Sequence, residues 1–224
     1  MCGRYALRTS VPELARTLGA EPLAECTPRY NIAPTQQVPV LHAAKGSRAL
    51  HWMRWGLVPA WSKGPDARYA MHNARIEGVT GKPAYRGPIR RRRCLIPASG
   101  WYEWQNIQGR KQPWLITHRD QELVCFAGLW DHWQKDGESI VSCSILTAAA
   151  LAPIDAVHSR MPIIAAPTEW DQWLDPKNDN AQAALDGLHP LHADALHAIA
   201  VSSHVNNARH DEPLCLEPLQ ATES

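Results

Sequence analysis

Phenylalanine is nearly missing from this sequence: one Phe stands beside ten Trp and five Tyr in 224 residues. The aromatic weight therefore rests on amphipathic rings. These bury area while keeping an N–H or O–H that needs a partner, and they make platforms for an unpaired base. Charge of either sign is not in excess. With 23 Lys and Arg against 22 Asp and Glu, the formal net charge is +1, so overall charge predicts no nucleic-acid or membrane partner. Apolar runs are short, which argues against a transmembrane helix, and the opening MCGRYALRTS has no hydrophobic segment of the secretory kind. The six cysteines (Cys2, Cys26, Cys94, Cys125, Cys143, Cys215) form no CxxC pair, so reduced thiols in a cytoplasmic protein are the expectation. Eleven His show neither an HExxH nor a paired Cys/His spacing, so no metal and no other cofactor is expected. No repeat, low-complexity tract or linker divides the chain. A single domain over residues 1–224 is expected, with the residues after about 218 fraying.

What is present reads mainly as strands. Apolar residues make up 45% of the chain and charged residues 20%, ordinary values for a globular protein. Short apolar runs at Val38–Leu41, Leu50–Trp55, Cys94–Trp104, Trp114–His118, Leu123–Trp130, Ile140–Thr147, Met161–Ala165 and Ala198–Val201 predict strands. NIQGRKQP, between Trp104 and Trp114, suits the turn of a long hairpin. Ser10-Val-Pro-Glu13 has the spacing of a capping box and predicts a helix over about 11–19. Pro22 to Pro34, with three prolines and few apolar residues, reads as irregular. Pro167 opens a helix with Trp170, Trp173 and Leu174 on one face, and Asn180–Leu188 reads as another. The fold class is α+β: a largely antiparallel, strongly curved sheet with helices at its margins.

Cys2 is the most informative position for chemistry. A small residue after Met1 permits removal of that Met, which leaves a cysteine with a free α-amine beside its β-thiol. Such an aminothiol condenses with an aldehyde to a Schiff base and then closes to a five-membered thiazolidine. The closure is intramolecular and so has a large effective molarity. An α-amine has a pKa of about 7.7–8.0 against about 10.4 for lysine, so much of it is neutral near pH 7. Gly3 lets a partner approach the backbone, and Arg4 can hold a phosphate beside the nucleophile. Glu103 stands among aromatics in Gly100-Trp-Tyr-Glu-Trp104, where partial desolvation raises a carboxyl pKa and suits it to move protons. A salt-bridged strand-end glutamate is the plainer reading. His158, in Val157-His-Ser-Arg-Met-Pro162, sits in a loop between elements, where both a functional and a structural histidine are common. Asn73 and Arg75, two apart, face the same side if they lie on a strand. Trp52, Trp55 and Trp61 with Pro59 either wall a DNA path or fill the core. The run Arg90–Arg93 reads as a solvated surface or as a phosphate contact.

These segments together resemble the SRAP (SOS-response-associated peptidase) family of abasic-site processing proteins. The resemblance runs through Met1-Cys-Gly-Arg4, Arg29-Tyr-Asn-Ile-Ala-Pro34, Trp55-Gly-Leu-Val-Pro-Ala-Trp61, Asn73-Ala-Arg-Ile-Glu77 and Cys94-Leu-Ile-Pro-Ala-Ser-Gly-Trp-Tyr-Glu-Trp104. It continues through Leu146-Thr-Ala-Ala-Ala150, His158-Ser-Arg-Met-Pro162 and Val201-Ser-Ser-His-Val-Asn206. Each motif is weak alone, and the ordered series is specific. It implies that Cys2 attacks the ring-opened sugar of an abasic site, that Asn73 orients sugar and amine, that Glu103 shuttles protons, and that His158 protonates the ring oxygen. It implies phosphate contacts for Arg4, Arg75 and Arg160, and packing of Pro34 and Trp61 against bases around the lesion. The partner it implies is single-stranded DNA with abasic sites. A monomer is expected because the chemistry needs nothing more, and its expected place is the cytoplasm, on the nucleoid in a bacterium. Lyase-type β-elimination and a self-processing peptidase activity also belong to the family's associations. The Arg90–Arg93 run is not part of its pattern.

Two other functions compete with a covalent abasic-site protein. One is a cysteine or N-terminal-nucleophile peptidase, with Cys2 attacking a carbonyl and Glu103 or His158 as base. The other is a non-catalytic single-strand binding module of Trp and Arg, whose binding would be salt-reversible and indifferent to Cys2→Ala.

Overall fold

Alternating apolar runs and glycine-bearing turns make strands of most of this chain. The structure, a computed structural model, describes residues 2–21, 23, 27–44, 47–66 and 71–219, with thirteen strands and four short α-helices among them. Met1, Cys26, parts of the Pro22–Pro34 stretch and the tail from 220 lie outside the described residues.

In chain order the elements are β1 (Arg4–Leu7), α1 (Val11–Leu18), β2 (Arg29–Ile32), β3 (Gln37–Ala44), β4 (Ser47–Trp55), β5 (Asn73–Arg75) and α2 (Pro88–Arg91). Then come β6 (Arg93–Ala98), β7 (Gly100–Ile107), β8 (Arg110–His118), β9 (Val124–Lys135) and β10 (Glu138–Ala149). The chain continues through β11 (Arg160–Pro162), β12 (Ile164–Ala165), α3 (Trp170–Leu174), α4 (Ala181–Asp186) and β13 (Leu196–Ala200). Strands β10, β4, β3, β6 and β9 pair in that order, and β9 pairs again with β10, so the sheet closes into a barrel. A second sheet runs β13–β8–β7–β1–β2. Pairing is antiparallel except where β10 meets β4 and β5. The expected α+β class with a curved, mostly antiparallel sheet is what the chain adopts.

One parallel edge matters for the site. Beside β10, strand β4 covers Ser142 and Cys143, and β5 takes over at Ile145, Leu146 and Thr147. Gly56, at φ 126°, lets the chain leave β4 where the handover begins. Asn73 therefore enters at the sheet rather than on a free loop.

Several predicted elements are revised. The run Cys94–Trp104 is not one strand: it divides at Ser99 into β6 of the barrel and β7 of the second sheet. Met161–Ala165 likewise divides, β11 pairing with β10 and β12 with β9. Arg29–Ile32, inside the stretch read as irregular, is strand β2 against β1. The α1 helix is present, but Ser10 makes no side-chain capping bond. What ends the helix is Gly19 at φ 60°, followed by Ala20 N–H donating to Ala15 O at 3.0 Å. The hairpin at NIQGRKQP forms as expected, with Gln108 and Gly109 both at positive φ, and Asp136-Gly137 makes a second such turn between β9 and β10.

The core joins both sheets. Tyr5 of β1 meets the edges of Trp55 and Phe126 at 5.2 and 6.0 Å, and Phe126 meets Trp101 at 5.9 Å, distances typical of favourable edge-to-face pairs. The lone Phe thus bridges barrel and second sheet. Four tryptophan N–H groups find backbone carbonyls among the described residues: Trp55 donates to His72 O, Trp133 to Ser62 O, Trp170 to Ala165 O and Trp173 to Cys94 O. Trp55 is fully buried and belongs to the core, so it cannot be part of an exposed wall, whereas Trp61 is 67% exposed. The arginine run is also revised. Arg93 is buried, donating to the carbonyls of Trp173, Ile89, Arg90 and Asp175, so it is a structural staple and not solvated.

Gly100 carries the turn between sheets. A Cβ there would lie 2.7 Å from Ile116 O and 2.9 Å from Thr117 Cγ2. Gly100→Ala is predicted to cost about 2 kcal/mol, a typical overpacking penalty, read from urea unfolding; an unchanged midpoint would show that β8 gives way at Ile116 without cost.

Candidate functional site

The antiparallel register of β1 with β7 sets Arg4 opposite Tyr102. Continued one step outward, it sets Gly3 beside Glu103, so the N-terminal segment is drawn over that carboxyl. Cys2 is fully buried. Its carbonyl accepts a hydrogen bond from Asn73 Nδ2 at 2.7 Å, and its Sγ lies 3.7 Å from Arg4 O. Asn73 is held in turn by Tyr85, whose hydroxyl donates to Asn73 O at 3.2 Å. The Asn73 Oδ1 has no hydrogen-bond partner among the described residues, leaving an acceptor next to the Cys2 backbone.

Glu103 is 2% exposed. Burial disfavours the charged carboxylate and pushes its pKa from 4.5 up to about 7. Burial, and then the nearby Glu103 charge, push the Cys2 thiol well above its ordinary range. His158 Nε2 stands 3.9 Å from Glu103 Oε2. His158 Nδ1 lies 3.0 Å from the Arg160 N–H and 3.2 Å from Arg160 O, accepting from the first or donating to the second according to the tautomer of the ring. Burial lowers the His158 pKa, so the neutral ring prevails at pH 7. Cys2, Asn73, Glu103 and His158, scattered over the sequence, thus form one cluster from the segment before β1, from β5 and β7, and from the loop before β11.

The arginines expected at phosphates are placed differently from one another. Arg75 is exposed. Arg160 forms a two-pronged pair with Glu77, at 2.5 and 3.0 Å, and donates to Thr147 O at 2.6 Å. Arg4 donates to Asn31 Oδ1 and Val205 O, both at 3.0 Å, and lies over the Trp104 ring. Arg4 and Arg160 flank the cluster, two residues from Cys2 and from His158. Pro34 is half-buried after β2, and Trp61 stands out from the surface after β4.

Sequence reasoning missed the residues that hold this arrangement. Asn31 is fully buried and donates to the carbonyls of Val205, Asn207 and His210 while accepting from Arg4. Asp211 accepts from the backbone of Tyr30 and Asn31 and pairs with Arg29. Tyr85 carries no sequence signal either. Asn31 and Thr147 do, each standing inside a motif, Arg29-Tyr-Asn-Ile-Ala-Pro34 and Leu146-Thr-Ala-Ala-Ala150. Among the described residues one group of metal-ligand type is found: His204, His210 and Glu212 bring ligand atoms within 4.8 Å of one another. They are already engaged, His204 Nε2 with Glu212 Oε1 and His210 Nδ1 with His204 O at 3.0 Å, and the rings stack at 3.9 Å.

No described helix is long and apolar enough to cross a membrane. The family model described as SOS response associated peptidase (SRAP) matches residues 1–208. The abasic site processing protein YoqW of Bacillus subtilis is 33% identical over 222 residues, covering 97% of this chain and 99% of its own. The abasic site processing protein HMCES of Gallus gallus is 32% identical over 265 residues, covering 98% of this chain and 78% of its own. Among solved structures, a Bacteroides thetaiotaomicron protein shares the fold with a TM-score of 0.86 at 22% identity, over 98% of this chain and all of its own. A Bordetella bronchiseptica protein superposes with a TM-score of 0.76 at 27% identity, over 90% of this chain and all of its own. This chain belongs to the SOS response associated peptidase (SRAP) family, whose curated members matched here are abasic site processing proteins.

Proposed function

We propose that this protein captures abasic sites in single-stranded DNA as a covalent thiazolidine on Cys2, after removal of Met1, and that it does so as a monomer. The observation that carries the reading is the placement of a neutral-leaning buried carboxyl, Glu103, against Cys2 and within 3.9 Å of His158. His158, in its protonated form, gives its Nε2 proton to the sugar ring oxygen as the anomeric hydroxyl gives up its own to water, which returns a proton to the imidazole, so the hemiacetal opens to its aldehyde and His158 is unchanged. The Cys2 amine adds to the aldehyde carbon. Glu103 then protonates the resulting hydroxyl, which leaves as water and gives a protonated Schiff base. The Glu103 carboxylate takes the thiol proton as sulfur adds to the same carbon, and the nitrogen keeps its own proton as a neutral amine. The sum is loss of one water and return of Glu103 to its starting form. The Schiff base is also the branch point for lyase-type strand cleavage.

Asn73 orients the Cys2 backbone through its Nδ2 and offers Oδ1 to the amine. Arg4, Arg75 and Arg160 hold flanking phosphates, and Pro34 and Trp61 pack against bases. The same site serves a peptidase poorly. A cysteine that attacks peptides needs a lowered thiol pKa, and burial here raises it.

The direct test is a denaturing gel of the protein with a single-stranded oligonucleotide bearing one abasic site. A band heavier by one protein mass should form and should vanish in Cys2→Ala; no band from protein confirmed to begin at Cys2 would overturn the proposal. Glu103→Gln is predicted to slow crosslinking by about 10²-fold or more, with DNA affinity within about twofold of wild type. A wild-type rate in that variant would remove Glu103 from the chemistry. The raised pKa also has a stability consequence. Folding holds the Glu103 proton more tightly than the unfolded chain does, so stability falls as pH rises from 4.5 to about 7. Glu103→Gln should remove this loss, gaining about 3 kcal/mol relative to wild type between pH 4 and pH 8, at roughly 1.4 kcal/mol per pH unit. Parallel urea titrations at the two pH values read it, and equal differences would contradict it.

A further inference from the structure

A cavity of about 450 Å³ is lined by Trp61, Thr80, Arg86, Arg90, Arg92 and Asp131 among others, and by no residue of the cluster. Its walls are built rather than accidental. Asp131 is 4% exposed, accepts the Ala60 N–H at 3.0 Å beside Trp61, and pairs with Arg92 at 3.2 Å. One buried carboxylate thereby ties the tryptophan side of the cavity to its arginine side. The arginine run divides its labour around this point. Arg93 points inward to carbonyls and Arg91 pairs with Asp179 at 3.3 Å. Arg86 and Arg90 are exposed and have no ion-pair partner among the described residues. With Arg92 offset by Asp131, the cavity is left with two uncompensated guanidinium groups facing an exposed indole.

The cavity is mechanically continuous with the cluster. The chain runs from β5, which carries Asn73 and Arg75, straight into the segment holding Thr80, Arg86 and α2. Tyr85, between Ala84 of the cavity wall and Arg86, donates its hydroxyl to Asn73 O at 3.2 Å.

We propose that this cavity is a second DNA subsite, taking one nucleotide unit of the strand as it leaves the abasic position. Arg86 and Arg90 bind phosphates, as planar forks suited to them, and Trp61 stacks the base. The proposal rests on the DNA reading above and adds to it a register: bases on one side of the lesion contribute to binding only when the strand is long enough to reach Trp61.

The test uses single-stranded oligonucleotides with a tetrahydrofuran abasic analogue, which lacks an aldehyde, lengthened one nucleotide at a time on each side. Affinity is followed by fluorescence anisotropy against salt. Wild type should gain affinity in a step on one side only. Arg86→Gln/Arg90→Gln should lose that step, and its salt slope on the long strand should fall by about 1.4, for two phosphates at about 0.7 each. Arg86→Lys/Arg90→Lys should restore most of the slope. If wild type crosslinks to abasic DNA and the glutamine pair leaves both step and slope unchanged, the subsite is wrong and the capture chemistry stands. If wild type neither binds nor crosslinks abasic DNA, the functional reading fails, and the subsite with it.

Discussion

Glu103 lies 2% exposed between Cys2 and His158, and a carboxyl so placed resists ionisation at the pH where most glutamates are charged. The geometry around it follows from keeping that group dry. The N-terminal segment must cross it, which the β1–β7 register achieves. The segment must also be held down, which falls to Asn73 through the Cys2 carbonyl. Asn73 can do so because β5 replaces β4 alongside β10 and because Tyr85 holds its carbonyl. A carboxyl titrating near 7 can give a proton and take one back in a single cycle, as Schiff-base formation followed by ring closure requires.

The basic residues divide into two kinds. Arg93 and Arg4 spend several of their N–H donors on backbone carbonyls or buried amides, and removing either disturbs packing before it disturbs binding. Arg75, Arg86 and Arg90 are exposed and make no side-chain hydrogen bond or ion pair among the described residues. Arg160 stands between the kinds: it is close to the cluster, but Glu77 already occupies its fork. A phosphate at Arg160 has to share it with Glu77 or displace that carboxylate.

Much of the strand content was legible from sequence, because long alternating runs such as Ile140–Thr147 and the glycine turn at Gln108-Gly109 carry their own period and dihedral demands. The division at Ser99 was not. Cys94–Trp104 is apolar apart from Ser99 and Glu103, and its local break at Ser99-Gly100 does not say which sheet each half joins; the pairing of β6 with β9 and of β7 with β8 decides it. Ser10-Val-Pro-Glu13 misled for a related reason, since spacing permits a capping box but does not require it. In the site, Cys2 and Glu103 could be suspected from chemistry and local setting, and the motif series placed Asn73 and His158 beside them. Asn31 and Asp211 could not be ranked, because their importance lies in partners some 180 residues away in the chain. The arginine run was only half legible: its charge was plain, but which guanidinium faces solvent depends on α2 packing.

The central claim is that one carbon of the abasic sugar becomes bonded to both the nitrogen and the sulfur of Cys2. Nuclease digestion of the crosslinked product, followed by proteolysis and tandem mass spectrometry, tests it most directly. The account predicts an adduct on a peptide beginning at Cys2, lighter than the sum of its parts by one water, with a thiol that no longer alkylates after denaturation. An adduct on a lysine, on a chain still carrying Met1, or on Cys2 with its thiol free would contradict it.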